Sequence, residues 1–224
     1  MVNPSKIVEN DVIYSLGEFD GTTVHYDFYL ILNYLDIKGK MLFGQDFKIY
    51  KKDRPLIRKL CAYIIKDKRY CKRENLNLDK GILLAGPVGC GKTSLMKLIR
   101  YISPLNVINK TPYEMIPSRN VVFSFNHLGF KSVQEYGESG TYCFDDIGLE
   151  PYGRYYGKDA NVIGEVLLSR YELFIATQGR LKTFATTNLN AEELEERYGP
   201  RVRSRMRVLF NLIAFDPESH DKRK

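Results

Sequence analysis

The chain has 224 residues, 44% of them hydrophobic, which is enough for one packed α/β domain with an extension. It shows no signal peptide and no long apolar span, and its four cysteines form no C-x-x-C or Cys/His ligand spacing. A membrane protein and a zinc- or disulfide-stapled module are thereby excluded, and reduced thiols in a cytoplasmic protein are expected. The formal charge of +7 is unevenly spread along the chain.

Residues 1 to about 50 are rich in Tyr, Phe, Asp and Gly and hold no chemical motif. They read as an N-terminal extension ahead of a domain over 51–224. Phe28, Ile31, Leu32 and Leu35 predict a helix over 26–35. Its apolar positions either pack on the core or form a docking surface for another protein. Between Lys51 and Arg73, ten basic residues face two acidic ones, Asp53 and Asp67, so this segment holds most of the excess charge. Asp53 and Pro55 start a helix here that runs to about Tyr70, with Leu56, Ile57, Leu60 and Ile64 on one face. The cations around that face, Lys51, Lys52, Arg58 and Lys59 among them, are candidate nucleic-acid contacts or an ordinary solvated face.

The stretch Gly81–Ser94 organises the rest. The apolar run Ile82–Ala85 predicts a buried parallel strand. It leads into Gly86-Pro87-Val88-Gly89-Cys90-Gly91-Lys92-Thr93-Ser94, a G-x-x-x-x-G-K-[ST] loop, and then into the helical spacing of Leu95, Leu98, Ile99 and Ile102. Strand, glycine loop and helix in this order are the context of a P-loop. Its backbone N–H groups and the helix N-terminus favour a polyphosphate. Lys92 would meet the β- and γ-phosphates and Thr93 would ligate Mg²⁺, so ATP and Mg²⁺ are the expected cofactors.

A looser stretch with Pro112 and Pro117 follows Pro104, and Val121–Phe125 reads as a strand. Asn126 then caps a short helix ending at Gly137. Thr141–Asp146 is an apolar strand delivering two carboxylates at its C-terminal end, where ligand chemistry gathers in parallel sheets. Asp145 has the place of a Walker-B acid on Mg²⁺, and Asp146 that of the group orienting an attacking water. The loop Leu149–Lys158 interleaves rings and cations. Arg154, Tyr155 and Lys158 there suit stacking on single-stranded bases, or a subunit contact. A helix starts at Asp159. Leu181–Asn188 is the next strand, and its terminal Asn188 would stand beside the Asp145 strand end, able to hold the γ-phosphate or its water. Asn190 with Glu193 makes a capping box, and that helix closes at Gly199-Pro200. Arg201, Arg203, Arg205 and Arg207 follow, before a last strand over 208–215.

Four segments, Gly86–Thr93, Phe144-Asp145-Asp146-Ile147-Gly148, Thr186-Thr187-Asn188-Leu189 and Tyr198-Gly199-Pro200-Arg201-Val202-Arg203-Ser204-Arg205-Met206, together resemble the DnaC/IstB branch of AAA+ ATPases. That branch comprises helicase loaders and transposition helpers, and the resemblance covers about residues 75–215. It implies a three-layer α/β P-loop fold with a parallel sheet, Asn188 as sensor 1, and Arg205 as an arginine finger acting on a neighbouring subunit's ATP, with Arg201 the second candidate. The chain stops too soon after the last strand for the C-terminal helical lid of other AAA+ proteins, so no sensor-2 arginine is assigned. Asp146 stands where the family usually has Glu, which implies slow hydrolysis.

The function expected from this resemblance is an ATP switch in DNA replication. It would assemble as a homo-oligomer on ATP binding and load a replicative helicase onto single-stranded DNA. An IstB-like helper of a transposase remains open. A P-loop small-molecule kinase and a scaffold without turnover fit the sequence less well.

Overall fold

The computed structural model describes residues 3–104 and 112–223, so part of the loose stretch after Pro104 lies outside the described residues. The chain divides into two compact units, Met1–Asn75 with Ser94–Pro112, and Leu76–Thr93 with Tyr113–Lys224.

The first unit opens with two short antiparallel hairpins, β1 (Lys6–Glu9) with β2 (Val12–Ser15), and β3 (Gly17–Phe19) with β4 (Val24–Tyr26). Helix α1 (Phe28–Phe43) follows. Asp27 caps it by accepting from the Tyr29 and Leu30 N–H groups at 2.7 and 3.3 Å. Glu9 ties the first hairpin to α1, accepting from the Tyr34 hydroxyl at 2.7 Å and pairing with Lys38 at 2.8 Å. The basic segment is two helices rather than one, α2 (Arg54–Ile64) and α3 (Lys68–Arg73). Lys66 adopts a left-handed φ of 60° between them, and Asp67 caps α3 through the Tyr70 N–H. Apolar spacing runs through this break, which is why the sequence reads as continuous.

In chain order the remaining elements begin with β5 (Gly81–Ala85), and α4 (Lys92–Ile99), whose first two residues belong to the second unit. Then come β6 (Glu114–Pro117), α5 (Ser118–Leu128), α6 (Phe130–Glu138), β7 (Tyr142–Asp145), β8 (Gly153–Tyr155), β9 (Lys158–Ala160), α7 (Val162–Ala176), β10 (Thr183–Thr187), α8 (Ala191–Leu209) and β11 (Phe210–Ala214). Five strands form a parallel sheet in the order β11-β5-β10-β7-β6. Helices α5 to α8 pack side by side over one face of it. Leu83, Phe144, Ala185 and Phe210 from the strands meet Val121, Phe125, Val166, Leu167, Leu194 and Met206 from these helices. Ile82 and Leu84, which point the other way, are also fully buried, so the sheet is covered on both faces as a three-layer α/β fold requires.

Expectations for α5 and α6 are corrected here, since Asn126 lies inside α5 and Gly129, not Asn126, stands at the N-cap of α6. Val121–Phe125 is helix, not strand: Val121, Val122 and Phe125 are buried while Phe123 is exposed, a helical face. The strand is Glu114–Pro117, just ahead of it. Tertiary packing overrides the β-branched composition. Gly199-Pro200 ends the first helical run of α8 as expected, Gly199 leaving the helical region (φ 81°, ψ 162°), and a second run starts at once from Pro200 and carries the arginines to Leu209. Proline is suited to a first helical turn because its missing N–H has no partner to lose there. The capping box at the start of α8 forms as expected, with Asn190 accepting from Glu192 and Glu193 N–H groups and Glu193 returning to the Asn190 N–H at 2.7 Å.

A buried arginine joins α7 to the N-terminal ends of β7 and β10. Arg170 is 1% exposed. Its guanidinium donates to the Thr183 hydroxyl, to the Ser139 and Gly140 carbonyls and to the Lys182 carbonyl, at 2.7–3.1 Å. Burial lowers its pKa to about 10, still charged at neutral pH. Arg170→Met should strand those acceptors. A loss of about 2–3 kcal/mol in unfolding free energy is expected, since a buried unsatisfied group costs about 1–3 kcal/mol. A urea midpoint unchanged in this variant would show that the acceptors find water instead.

Candidate nucleotide site

The sheet order puts β10 between the P-loop strand β5 and the Asp strand β7, so the three C-terminal ends converge. Gly86 N–H donates to the Thr187 carbonyl at 3.2 Å, fixing the start of the phosphate loop against β10. Lys92 is 5% exposed and donates to the Gly86 and Pro87 carbonyls at 2.7 and 2.9 Å. Its charge therefore stands inside the loop. The Thr93 hydroxyl donates to Asp145 Oδ1 at 2.9 Å.

Thr186, to which the sequence reading gave no role, joins this pair. Its hydroxyl donates to the same Asp145 oxygen at 2.6 Å and accepts the Asp146 N–H at 2.8 Å. One threonine thus orients the first carboxylate and the backbone of the second. Asp146 takes a left-handed φ of 56°, a conformation that short polar side chains tolerate. The Ser118 hydroxyl donates to its carbonyl at 2.9 Å. Burial, and then the neighbouring Asp145 charge, push the Asp146 carboxyl above its ordinary range, against the charges of Lys92 and Arg223. Asn188 follows β10 directly, and its side-chain Oδ1 is buried with no hydrogen-bond partner among the described residues. A buried acceptor left open at this point is what a site for a water or hydroxyl donor looks like.

Beyond Asp146 the chain is held by a second residue that the sequence reading passed over. Glu150 has a buried carboxylate that accepts the Gly148 N–H at 2.7 Å and the Tyr198 hydroxyl at 2.7 Å, with Arg197 at 3.4 Å. Arg197 also donates to the Glu150 carbonyl at 2.6 Å and lies over the Tyr152 ring. This network joins the turn after the two aspartates to the first half of α8. Burial, and then Glu150, hold the Tyr198 phenol protonated well above its ordinary value. The signal available in the sequence was a Glu four residues past a paired-Asp strand end, too local to read without α8 beside it.

The arginine box lies on the second half of α8. Arg201 is exposed, whereas Arg205 is half-buried with its guanidinium over the Tyr171 ring, 4.6 Å from the centroid. The proposed nucleic-acid residues lie in both units. Lys51 and Lys52 are exposed in the turn before α2. Arg58 lies over the Phe28 and Tyr70 rings, and Lys59 pairs with Glu74 at 3.2 Å. The Leu149–Lys158 loop folds as the β8–β9 hairpin. Arg154 and Lys158 are exposed on it. Tyr155 turns inward onto Phe125 and Gly129, and the ring left open is Tyr156, 89% exposed.

No protein-family profile and no curated protein matches the sequence. Solved structures do match the fold. The DnaC helicase loader superposes with a TM-score of 0.52 at 17% identity, over 76% of this chain and 93% of its own. A protein of Streptococcus pyogenes serotype M3, described as a primosome component, gives 0.52 at 18% identity, over 82% and 90%. The chain has the fold of these two structures, an α/β fold of the DnaC type. In this DnaC-type fold, no helix among the described residues is long and apolar enough to cross a membrane, and none follows β11.

Glu150→Ala should remove an acceptor shared by three donors and lower stability by about 1–3 kcal/mol, the cost of stranding buried donors. Glu150→Gln, which keeps an acceptor oxygen, should recover part of it. Equal thermal melts for the Ala variant and the parent would mean that the network contributes nothing.

Proposed function

We propose that the chain is a Mg²⁺-ATP switch of the helicase-loader kind, acting in DNA replication. The observation that carries the nucleotide reading is the meeting of Thr93 from the P-loop helix with Asp145 from β7 at 2.9 Å, beside the buried Lys92. The arrangement suits Mg²⁺, which binds through one or two protein oxygens, phosphate oxygens and waters rather than through a protein cage. Thr93 and Asp145 would hold the ion, whose charge would neutralise the β- and γ-phosphate oxygens. Lys92 would exchange its loop carbonyls for those phosphates, and the loop N–H groups would wrap the chain of phosphates.

Asp146 and Asn188 are the residues we assign to the water. Asn188 Oδ1 accepts a hydrogen bond from it, and Asp146 aligns it and takes its proton as its oxygen bonds to the γ-phosphorus. The bond from that phosphorus to the bridging oxygen breaks and ADP leaves. Burial, which raises the Asp146 pKa above its ordinary value, acts in the direction that favours the proton's arrival. Arg205 or the more exposed Arg201 would act on ATP held by a neighbouring copy, so that hydrolysis depends on assembly. The loader reading is supported by the DnaC-type fold together with the Tyr198–Met206 box. Single-stranded DNA is the polyanion we assign to the exposed cations, with Tyr156 as the ring available for stacking.

Lys92→Ala should abolish binding of a fluorescent ATP analogue, and Asp145→Ala should lose Mg²⁺-dependent turnover. Arg205→Ala should bind ATP and hydrolyse it poorly. Mixing it with Lys92→Ala should restore part of the activity where an intact P-loop meets an intact finger. No recovery, with assembly confirmed by light scattering, would confine hydrolysis to single protomers. A pull-down from the source cell separates the partners: retention of a replicative helicase supports the loader reading, and retention of a transposase instead overturns it.

For DNA, affinity for a single strand should fall steeply with salt. Replacing Lys51, Lys52, Arg58 and Lys59 together by Gln should flatten that slope. Tyr156→Ala should cost about 1–3 kcal/mol, the usual worth of one stacked base. An unchanged slope, or an unchanged affinity for Tyr156→Ala, removes the corresponding surface from the DNA site.

A further inference from the structure

After β11 the chain turns back across the phosphate loop. The Phe215 N–H donates to the Ala85 carbonyl at 2.9 Å, carrying the pairing one residue past the strand. Its side chain closes on Gly86, where an added Cβ would lie 2.7 Å from Phe215 Cβ. A turn then reverses the chain, with the Ser219 N–H on the Asp216 carbonyl at 2.9 Å and the Glu218 N–H on the Asp216 carboxylate at 2.9 Å. Lys222 completes the crossing. Its backbone N–H donates to the Gly89 carbonyl at 3.0 Å, and its ammonium to the Cys90 carbonyl at 2.6 Å. The same ammonium lies over the Phe215 ring, 4.7 Å from the centroid, so the two ends of the strap meet. Asp221 lies so close that a Cβ on Gly89 would fall 2.1 Å from its carboxylate, and Gly89 has a φ of 77°; a side chain there is barred twice over.

A phosphate loop works by turning successive N–H groups to one side, where the anion sits. Its carbonyls must then point elsewhere and be satisfied there. Lys92 serves the Gly86 and Pro87 carbonyls, but a bound polyphosphate would draw that ammonium away. The Gly89 and Cys90 carbonyls are held by Lys222, from a segment outside the P-loop motif. This hold is separate from the Lys92 ammonium that a bound polyphosphate would draw away.

We propose that Lys222 is a positioning residue for the nucleotide, holding the Cys90 carbonyl turned out so that the Gly91 N–H, on the other side of the same peptide, is turned toward the phosphates. The Cys90 N–H itself rests on the Pro87 carbonyl at 3.4 Å. The proposal rests on the Mg²⁺-ATP reading of the P-loop. A loop already held in its binding geometry loses less freedom on binding, and the gain appears as affinity. Because this peptide belongs to the part of the loop that every bound nucleotide meets, diphosphate and triphosphate should benefit alike.

The test is titration of the full chain with Mg²⁺ and fluorescent N-methylanthraniloyl ATP or ADP, together with melting of the nucleotide-free protein. Lys222→Met keeps the length and the backbone N–H but removes the ammonium, and Lys222→Arg keeps a cationic donor. The expected result is about a tenfold rise in Kd for both nucleotides in Lys222→Met, equivalent to about 1.4 kcal/mol. Recovery in Lys222→Arg and a parent-like melting temperature in both variants complete the pattern. An unchanged Kd in Lys222→Met overturns the proposal while leaving the P-loop reading intact. Tighter binding overturns it too, since the strap would then be competing with nucleotide. A loss confined to ATP would assign Lys222 to the γ-phosphate charge and not to loop geometry. A parallel fall in melting temperature without rescue by Arg would make it a packing residue only. A parent chain that binds neither probe overturns both this proposal and the nucleotide reading beneath it.

Discussion

Asp145 Oδ1 accepts two hydroxyl hydrogen bonds, from Thr93 at 2.9 Å and from Thr186 at 2.6 Å. Three elements meet at this one oxygen: the helix behind the phosphate loop, the strand that carries the carboxylate, and the strand between them. A carboxylate half-withdrawn from water is stable only where donors replace the solvent it has lost. The two threonines supply them and at the same time fix its direction. The contact exists because the sheet runs β5-β10-β7, an order in which neighbours in space are far apart in the chain.

The surrounding structure repeats this device with larger polar groups. Arg170 satisfies carbonyls at the N-terminal ends of β7 and β10, and Glu150 gathers donors just past their C-terminal side. Each is nearly inaccessible to water, and each is surrounded by partners. Between them the apolar layer of α5 to α8 holds the strands in register. The polar staples then decide which way the short segments between strand and helix run. A hydrophobic core is indifferent to direction, whereas a hydrogen-bonded carboxylate or guanidinium is not.

The glycine loop between β5 and α4 was legible because its constraints are local. Glycines free the backbone, a lysine supplies charge, a threonine follows it, and all lie within eight consecutive residues. The Asp145–Asp146 strand end was legible for a similar reason, as an apolar run that stops at two carboxylates. The capping box at Asn190 and Glu193 is another short-range pattern, and the structure contains it. The misread elements were those in which local preference competed with packing. Val121–Phe125 has a strand's composition and a helix's buried face. The split of the basic segment at Lys66 fails in the same way, because the apolar spacing spans the break.

By itself the sequence determined the α/β class, the strand, glycine loop and helix around Gly86–Thr93, and the pairing of an N-cap with its box. Each depends on interactions within a turn or two of the chain, where spacing and geometry are nearly the same thing. Only the tertiary structure decided that Thr186 serves both aspartates, that Glu150 binds the following turn to α8, that Tyr155 is turned inward while Tyr156 is open, and that Lys222 lies on the phosphate loop 132 residues from Cys90. Those contacts join residues that no periodicity relates. They arise because parallel strands must be connected by crossovers, which bring distant segments to the same edge of the sheet.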